Sequence, residues 1–385
     1  MHIKEALIIL KLMAERKRIL FLLHLPPPVH GSSVVGGFIK TSKLINDTFY
    51  CFYINLLASS NISDTGQVTA KKILGFLSTI FKLVYQLVSK RPQLCYLALT
   101  TTGAAFFKDA ILILILKVFR IRRVYHLHNK GVELHRHILF YSLFYKFVFK
   151  NSEVILLSKY LYNDISAFVK WNRVYICPNG TPSLNADFDD NTDQKKKAFN
   201  ILFLSNLFES KGVVTLLKAC TILKSKRGDF KCTFIGGEGD ISKNDLSLLI
   251  RQMALVDHVV YEGKKYAYEK HVALSTADVF VFPTYYHNEC FPLVLLEAMS
   301  YSLPIVTTSE GGIADIVIDG KTGFLVSPKN PHEISSKLEL LMEDKSRFVA
   351  MGLAGKKKYL EEYTLDTFEQ RMLSILKELI KKADD

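Results

Sequence analysis

Apolar positions along this chain follow two alternating rhythms. In the first half, compact apolar runs fall at 18–25, 49–56, 93–99, 123–127, 153–157 and 173–177. Between them lie stretches in which apolar residues return every three or four positions, at 71–89, 106–119 and 135–149. The compact runs read as strands and the periodic stretches as helices. Strands that alternate with helices in this way form a parallel sheet with helices on both faces. The pattern restarts at 200–204 and continues through 231–236, 258–262, 278–283, 304–307 and 322–326, with helical stretches at 212–224, 243–254, 268–275 and 293–300. Further helical stretches follow from Pro331 and end over 365–382.

The polar segment 182–197 separates the two series and reads as an interdomain linker. Its Asp187-Phe188-Asp189 has the form of a metal-binding Asp-x-Asp, but no strand precedes it, and loop composition favours a solvated linker. The expected organisation is an α/β chain of two Rossmann-like domains, 1–181 and 199–364, joined by a linker at 182–198. The last helix, over about 365–385, is expected to pack back on the first domain. Tandem parallel-sheet domains favour a ligand in the cleft between them, beyond the carboxyl ends of the strands.

Charge changes this picture. The net charge of +13 is uneven: residues 1–180 hold 24 Lys and Arg against 8 Asp and Glu, whereas the remainder holds 26 against 29. The basic half calls for an anionic partner, whether nucleic acid, a lipid surface or an anionic substrate. No helix-turn-helix, RNA-binding signature or zinc finger accompanies it, which disfavours nucleic acid. The segment 106–123 interleaves Lys108, Lys117, Arg120, Arg122 and Arg123 with aliphatic residues. In 135–150, Arg136, Lys146 and Lys150 lie among aromatic residues. Cationic, apolar helices of this kind suit the headgroup boundary of an anionic membrane.

The cysteines are scattered without a Cys-x-x-Cys pair, so they read as reduced, cytoplasmic thiols. No secretory signal is evident, because the apolar run 6–10 stops at Lys11. The longest candidate span, 104–119, is broken by Lys108-Asp109, and no transmembrane helix is expected.

The richest chemistry lies at 287–299, His-Asn-Glu-Cys-Phe-Pro-Leu-Val-Leu-Leu-Glu-Ala-Met. Pro292 sits where a helix would begin, since a missing N–H has no cost in the first turn. Glu289 then lies on the entering loop and Glu297 inside the helix, roughly 10–12 Å apart along the axis. A nucleotide sugar spans about that distance from ribose to hexose, and the free amides and dipole of a helix N-terminus attract the diphosphate between them.

Other strand ends carry compatible groups. Asn206 and Lys211 follow the strand 200–204; the lysine is a point charge suited to a diphosphate, and the asparagine amide can donate. Gly236-Gly237-Glu238-Gly239 permits close backbone approach, as does Gly311-Gly312, after which Asp315 either orients a hydroxyl or caps a helix. In the first half, Gly31 follows the first strand at a possible helix N-terminus. His126 and His128 share one face of their strand, with His128 at its cleft end.

With Glu289 and Glu297, Pro304-Ile305-Val306, Gly311-Gly312, Gly320-Lys321-Thr322-Gly323 and Asn179-Gly180, the chain resembles the retaining glycosyltransferases of family 4, which have the GT-B fold. The resemblance implies that Glu289 contacts donor-sugar hydroxyls and Glu297 the ribose hydroxyls. It further implies that Lys211 holds the diphosphate, that Gly31 packs its backbone against it, and that His128 lies near the reacting sugar. Asn206, Gly237, Phe291, Leu293 and Val294 complete the expected donor contacts.

Two departures stand out. Asn206 replaces a frequent Arg, and Cys290-Phe291-Pro292 replaces a frequent Gly-Phe-Gly, which leaves phosphate binding to amides such as Leu293 and Val294. The expected activity is sugar transfer from a nucleotide diphosphate donor, without a metal, to a saccharide or polyprenyl-linked acceptor. The setting would be bacterial surface polysaccharide synthesis on the inner membrane face. The alternatives are a catalytically silent scaffold of the same fold, a phosphorylase or epimerase, or a nucleic-acid-binding protein.

Overall fold

The computed structural model describes residues 16–57, 70–183 and 198–384. Most of the segment expected as a linker, with Asp187 and Asp189, lies outside them. The chain forms two compact units, residues 1–179 with 365–385 and residues 180–364.

In the first unit the strands are β1 (Arg18–Leu23), β2 (Tyr50–Asn55), β3 (Leu94–Leu99), β4 (Arg122–Leu127), β5 (Glu153–Leu156) and β6 (Val174–Ile176). They pair in the order β2-β1-β3-β4-β5-β6, every pair parallel. The central strands read as unbroken apolar runs because both faces are covered: β3 is buried at every position. The helices are α1 (Gly31–Thr41), α2 (Lys43–Thr48), α3 (Ala70–Lys90), α4 (Gly103–Val118), α5 (Val132–His135), α6 (Leu139–Phe149) and α7 (Tyr162–Ile165).

The second unit has β7 (Phe199–Leu204), β8 (Phe230–Ile235), β9 (Val259–Tyr261), β10 (Val279–Phe282), β11 (Ile305–Thr307) and β12 (Gly323–Leu325), in the parallel order β12-β11-β10-β7-β8-β9. Its helices are α8 (Val213–Lys226), α9 (Lys243–Gln252), α10 (Ala267–Thr276), α11 (Leu293–Ser300), α12 (Ile313–Ile316), α13 (Pro331–Glu343) and α14 (Lys345–Glu362). The chain then re-enters the first unit as α15 (Leu365–Asp384), which packs on α2.

This strand order fixes where the loops converge. In the second unit the chain runs outward from β7 to β9, then returns to place β10 beside β7. The loops leaving β7 and β10 therefore part company over one crevice at the carboxyl edge of the sheet. In the first unit the equivalent point lies between β1 and β3, with β4 next to it.

Two local expectations change. The helix expected over 135–149 is broken at Arg136–Ile138, where the Ile138 amide bonds back to His135 and α6 starts afresh. The second concerns α3. Over Ile73–Lys90 this helix is long and apolar enough to cross a membrane by length and composition, a property expected of no segment. Its Leu83 and Leu87 are buried, and it contacts β2 and α4.

Candidate functional site

The loop after β7 carries Lys211 and the loop after β10 carries Glu289, and the switch point brings them together. The Lys211 ammonium forms an ion pair with Glu289 Oε2. Both side chains are largely withdrawn from water, at 15% and 10% exposure. The ammonium also lies 4.3 Å from the centroid of the Tyr286 ring, so an aromatic face supports the charge from a second side.

Backbone contacts hold the two loops in register. The Tyr285 amide donates to Ser210 O at 2.7 Å. Gly212 has φ +90°, and a Cβ there would stand 2.4 Å from Pro283 O, so the conformation and the close approach both require glycine. Gly311 does the same on the other side: φ is +59°, and a Cβ would meet Glu289 O at 2.2 Å. The Gly312 amide donates to Cys290 O at 2.7 Å. The Gly311-Gly312 pair is thus the clamp that fixes the backbone of Glu289.

Immediately after Glu289 the chain enters α11. Pro292 is its N-cap, without a side-chain cap, so the amides of Leu293 and Val294 open the helix. Phe291 is buried with its ring against Tyr363 at 5.7 Å, and so packs the start of the helix. Glu297, one turn in, accepts from Lys270 Nζ of α10 at 2.6 Å. Asn206 was expected to donate to a ligand. Its Oδ1 accepts from the Gly237 amide at 3.0 Å, which ties the β7 loop to the β8 loop and does not engage the NH₂ group expected to donate.

Three neighbours escaped the sequence reading. Lys264 packs over Gly237, where a Cβ would meet its Cε at 2.3 Å, and so brings a cation beside Asn206. It follows Gly263 just beyond β9, a strand-end position of the kind that marked Lys211. Tyr286 and Lys270 carried no signal, because their roles arise from partners on other elements.

Gly31 and His128 belong to the first unit. Gly31 opens α1, where His30 and Ser33 form a reciprocal cap, and the space around it is open. The His126 and His128 rings meet at a 45° tilt with centroids 4.2 Å apart, and Tyr96 OH bonds to His126 Nδ1. His24 and His30, 6.0 Å apart at the end of β1, adjoin them. Burial lowers His126 to about 3, and burial aided by His30 and Lys108 lowers His24 to about 4. Burial, followed by the fields of His126, His24 and His30, holds His128 well below the ordinary imidazole value. His24, His126 and His128 are therefore neutral near pH 7, so His128 offers a hydrogen bond without a charge.

The glycosyl transferases group 1 family matches residues 185–358, which is nearly the whole second unit. Residues 185–358 are a group 1 glycosyl transferase domain. The chain is 26% identical over 254 residues to the capsular polysaccharide biosynthesis glycosyltransferase CapM of Staphylococcus aureus, covering 62% of this chain and 64% of CapM. It is 30% identical over 189 residues to a D-inositol 3-phosphate glycosyltransferase of Paenarthrobacter aurescens, covering 47% of this chain and 46% of that one. The chain thus matches between about half and two thirds of the length of these relatives. In fold, 94% of it superposes on the whole of Anabaena HepE, solved with UDP, with a TM-score of 0.75 at 18% identity. The group 1 domain and the unit into which it is inserted have the GT-B fold.

Proposed function

We propose that the chain is a retaining glycosyltransferase that moves a hexosyl or N-acetylhexosaminyl group from a nucleotide diphosphate sugar to a saccharide or lipid-linked saccharide acceptor in surface polysaccharide synthesis. The observation that carries this reading is the buried Lys211–Glu289 pair beside the open N-terminus of α11. A carboxylate for sugar hydroxyls and a second for a ribose flank the free amides of one short stretch, and Lys211 reaches the first of them from the β7 loop as the cation for a diphosphate. The Anabaena HepE chain, also solved with UDP-glucose, supports a uridine nucleotide as the first donor to try.

In the proposed reaction the bond from the anomeric carbon to the diphosphate oxygen breaks, and an acceptor hydroxyl oxygen bonds to that carbon on the same face. The hydroxyl proton leaves with the diphosphate. Negative charge grows on the diphosphate during this step, and preorganised donors stabilise the transition state more than the ground state. Lys211, Lys264, the Asn206 amide and the Leu293 and Val294 amides supply that stabilisation. Glu289 orients the sugar and Glu297 the ribose. With positive charge supplied in this way, we assign no metal to the reaction. Chelator that abolished turnover, with magnesium restoring it, would reverse that assignment.

A thermal-shift panel of UDP, GDP and ADP with their sugars tests the reading. A ligand of dissociation constant Kd stabilises by RT ln(1 + [L]/Kd), and one nucleotide should separate from the rest. In Glu297→Ala that shift should shrink. A panel in which no nucleotide stabilises the chain refutes the proposal.

A further inference from the structure

The outer surface of three helices in the first unit is apolar where water would be expected. In the strand order β2-β1-β3-β4-β5-β6 the crossovers carrying α3, α4 and α6 all step in one direction. Right-handed crossovers therefore lay the three helices on one face of the sheet. They pack side by side, α3 on α4 and α4 on α6. Down α3, Leu74, Leu77, Phe81 and Tyr85 recur at steps of three and four, and Phe81 is 74% exposed. This stripe faces away from the buried Leu83 and Leu87, so α3 is apolar on two sides, one buried and the other exposed among the described residues. On α4, Leu114 and Val118 are exposed, and on α6 Leu139 is 75% exposed. A run of large apolar side chains across three neighbouring helices exceeds what soluble monomers leave in water and marks an interaction surface.

The charges around this surface choose its partner. Neither α3 nor α6 contains Asp or Glu, and the one acid of α4, Asp109, is buried. Lys82, Lys108 and Lys146 lie among the exposed positions. At their carboxyl ends the three helices run into a cavity of about 530 Å³ whose charged lining is Arg120, Arg122, Arg123, Arg173 and Lys382 against the single acid Glu153, which pairs with Arg122 at 3.9 Å. Within it, Arg123 is 9% exposed; its Nη1 and Nη2 donate to Ile121 O and Asn151 O, and only its Nε has no hydrogen-bond partner among the described residues. A second copy docked on this face by two-fold symmetry would set lysines against lysines. An anionic bilayer satisfies both the apolar and the cationic parts.

We propose that the α3–α4–α6 face is a docking surface for an anionic lipid bilayer. The helices lie in the headgroup boundary, with Leu77, Phe81 and Leu114 among the acyl chains and the basic rim on the phosphates. This goes beyond the segments 106–123 and 135–150 expected from sequence, because α3 supplies the longest apolar strip. It is also independent of the donor chemistry.

The test is co-sedimentation of the full chain with phosphatidylcholine vesicles that either contain or lack phosphatidylglycerol, at low and high salt. The parent chain should pellet with the anionic vesicles and be released by salt. Leu77→Glu with Phe81→Glu should abolish pelleting while leaving the melting temperature with the parent's, since both positions are exposed. Lys82→Gln should lose about fivefold in vesicle affinity, the worth of one basic residue near a charged surface. Equal pelleting of the glutamate variant and the parent overturns the proposal. So does a dimer in vesicle-free solution that the same substitutions dissociate, with no vesicle binding.

Discussion

Replacing Lys211 by alanine separates two consequences that the structure ties together. The substitution leaves Glu289, only 8% exposed, without its partner. Breaking one side of a buried pair costs about 3–5 kcal/mol; about 3 applies here, because a tenth or more of each side chain still meets water. At about 2–4 °C per kcal/mol for a unit of this size, the melting temperature should fall by about 6–12 °C. Adding Glu289→Gln removes the stranded charge and should restore most of that loss.

The catalytic effect should be separate. With a nucleotide sugar donor, kcat should fall about 10²–10³-fold, the usual cost of one donor aimed at developing charge. With a glycosyl fluoride, whose leaving group carries no diphosphate, the same variant should turn over at nearly the parent rate. Parallel assays of Lys211→Ala and the parent on both donors, below the lowered melting temperature, decide the matter. An equal deficit on the two donors would mean that Lys211 acts by holding Glu289 in place, and the leaving-group role would be wrong.

Lys264, packed over Gly237 beside Asn206, should weaken nucleotide binding by about tenfold when changed to alanine, a charge-assisted hydrogen bond being the loss. Titration calorimetry with UDP reads this, and an unchanged affinity removes Lys264 from the site. Gly311→Ala forces a Cβ to within 2.2 Å of Glu289 O at a positive φ. It should lower stability by about 3 kcal/mol or more in urea unfolding, and a variant as stable as the parent would refute the clamp. The buried histidines predict acid sensitivity. His126 has a folded value of about 3 against the usual 6.5, so the unfolded chain takes up a proton first as pH falls, and stability is lost progressively below pH 6.5. At about 1.4 kcal/mol per unit this is on the order of 4 kcal/mol by pH 4. Asp109 opposes it, because burial raises its carboxyl to about 7. Urea unfolding across that range should show His126→Asn flattening the decline, and a parallel profile would argue against it.

Much of the fold was legible because the strands are buried on both faces. Runs such as Leu94–Leu99 have no polar position to blur them, and their alternation with helical periods leaves a parallel sheet as the natural outcome. The pairing of Lys211 with Glu289 was only partly legible. Both residues sit at strand ends, but their contact depends on β10 returning beside β7, which no local pattern records. Lys270 was invisible for the same reason, since it meets Glu297 from a different helix. The break at Arg136–Ile138 was hidden by an apolar periodicity that continues through it. Periodicity also cannot say which of two apolar faces is covered, and so the outward stripe of α3 emerges only once Leu83 and Leu87 are seen to be buried.

The Thr181 amide bonds to Tyr363 O at 3.0 Å, Thr181 pairs with Thr364, and the Tyr359 hydroxyl donates to the Thr181 and Pro182 carbonyls. The second unit therefore starts and finishes at one spot, like a loop of thread tied at its base. A piece closed in this manner behaves as a cassette. Cut at 180 and 364 it should fold when produced alone, and under the proposed function its exchange for that of a related chain should change the nucleotide preference.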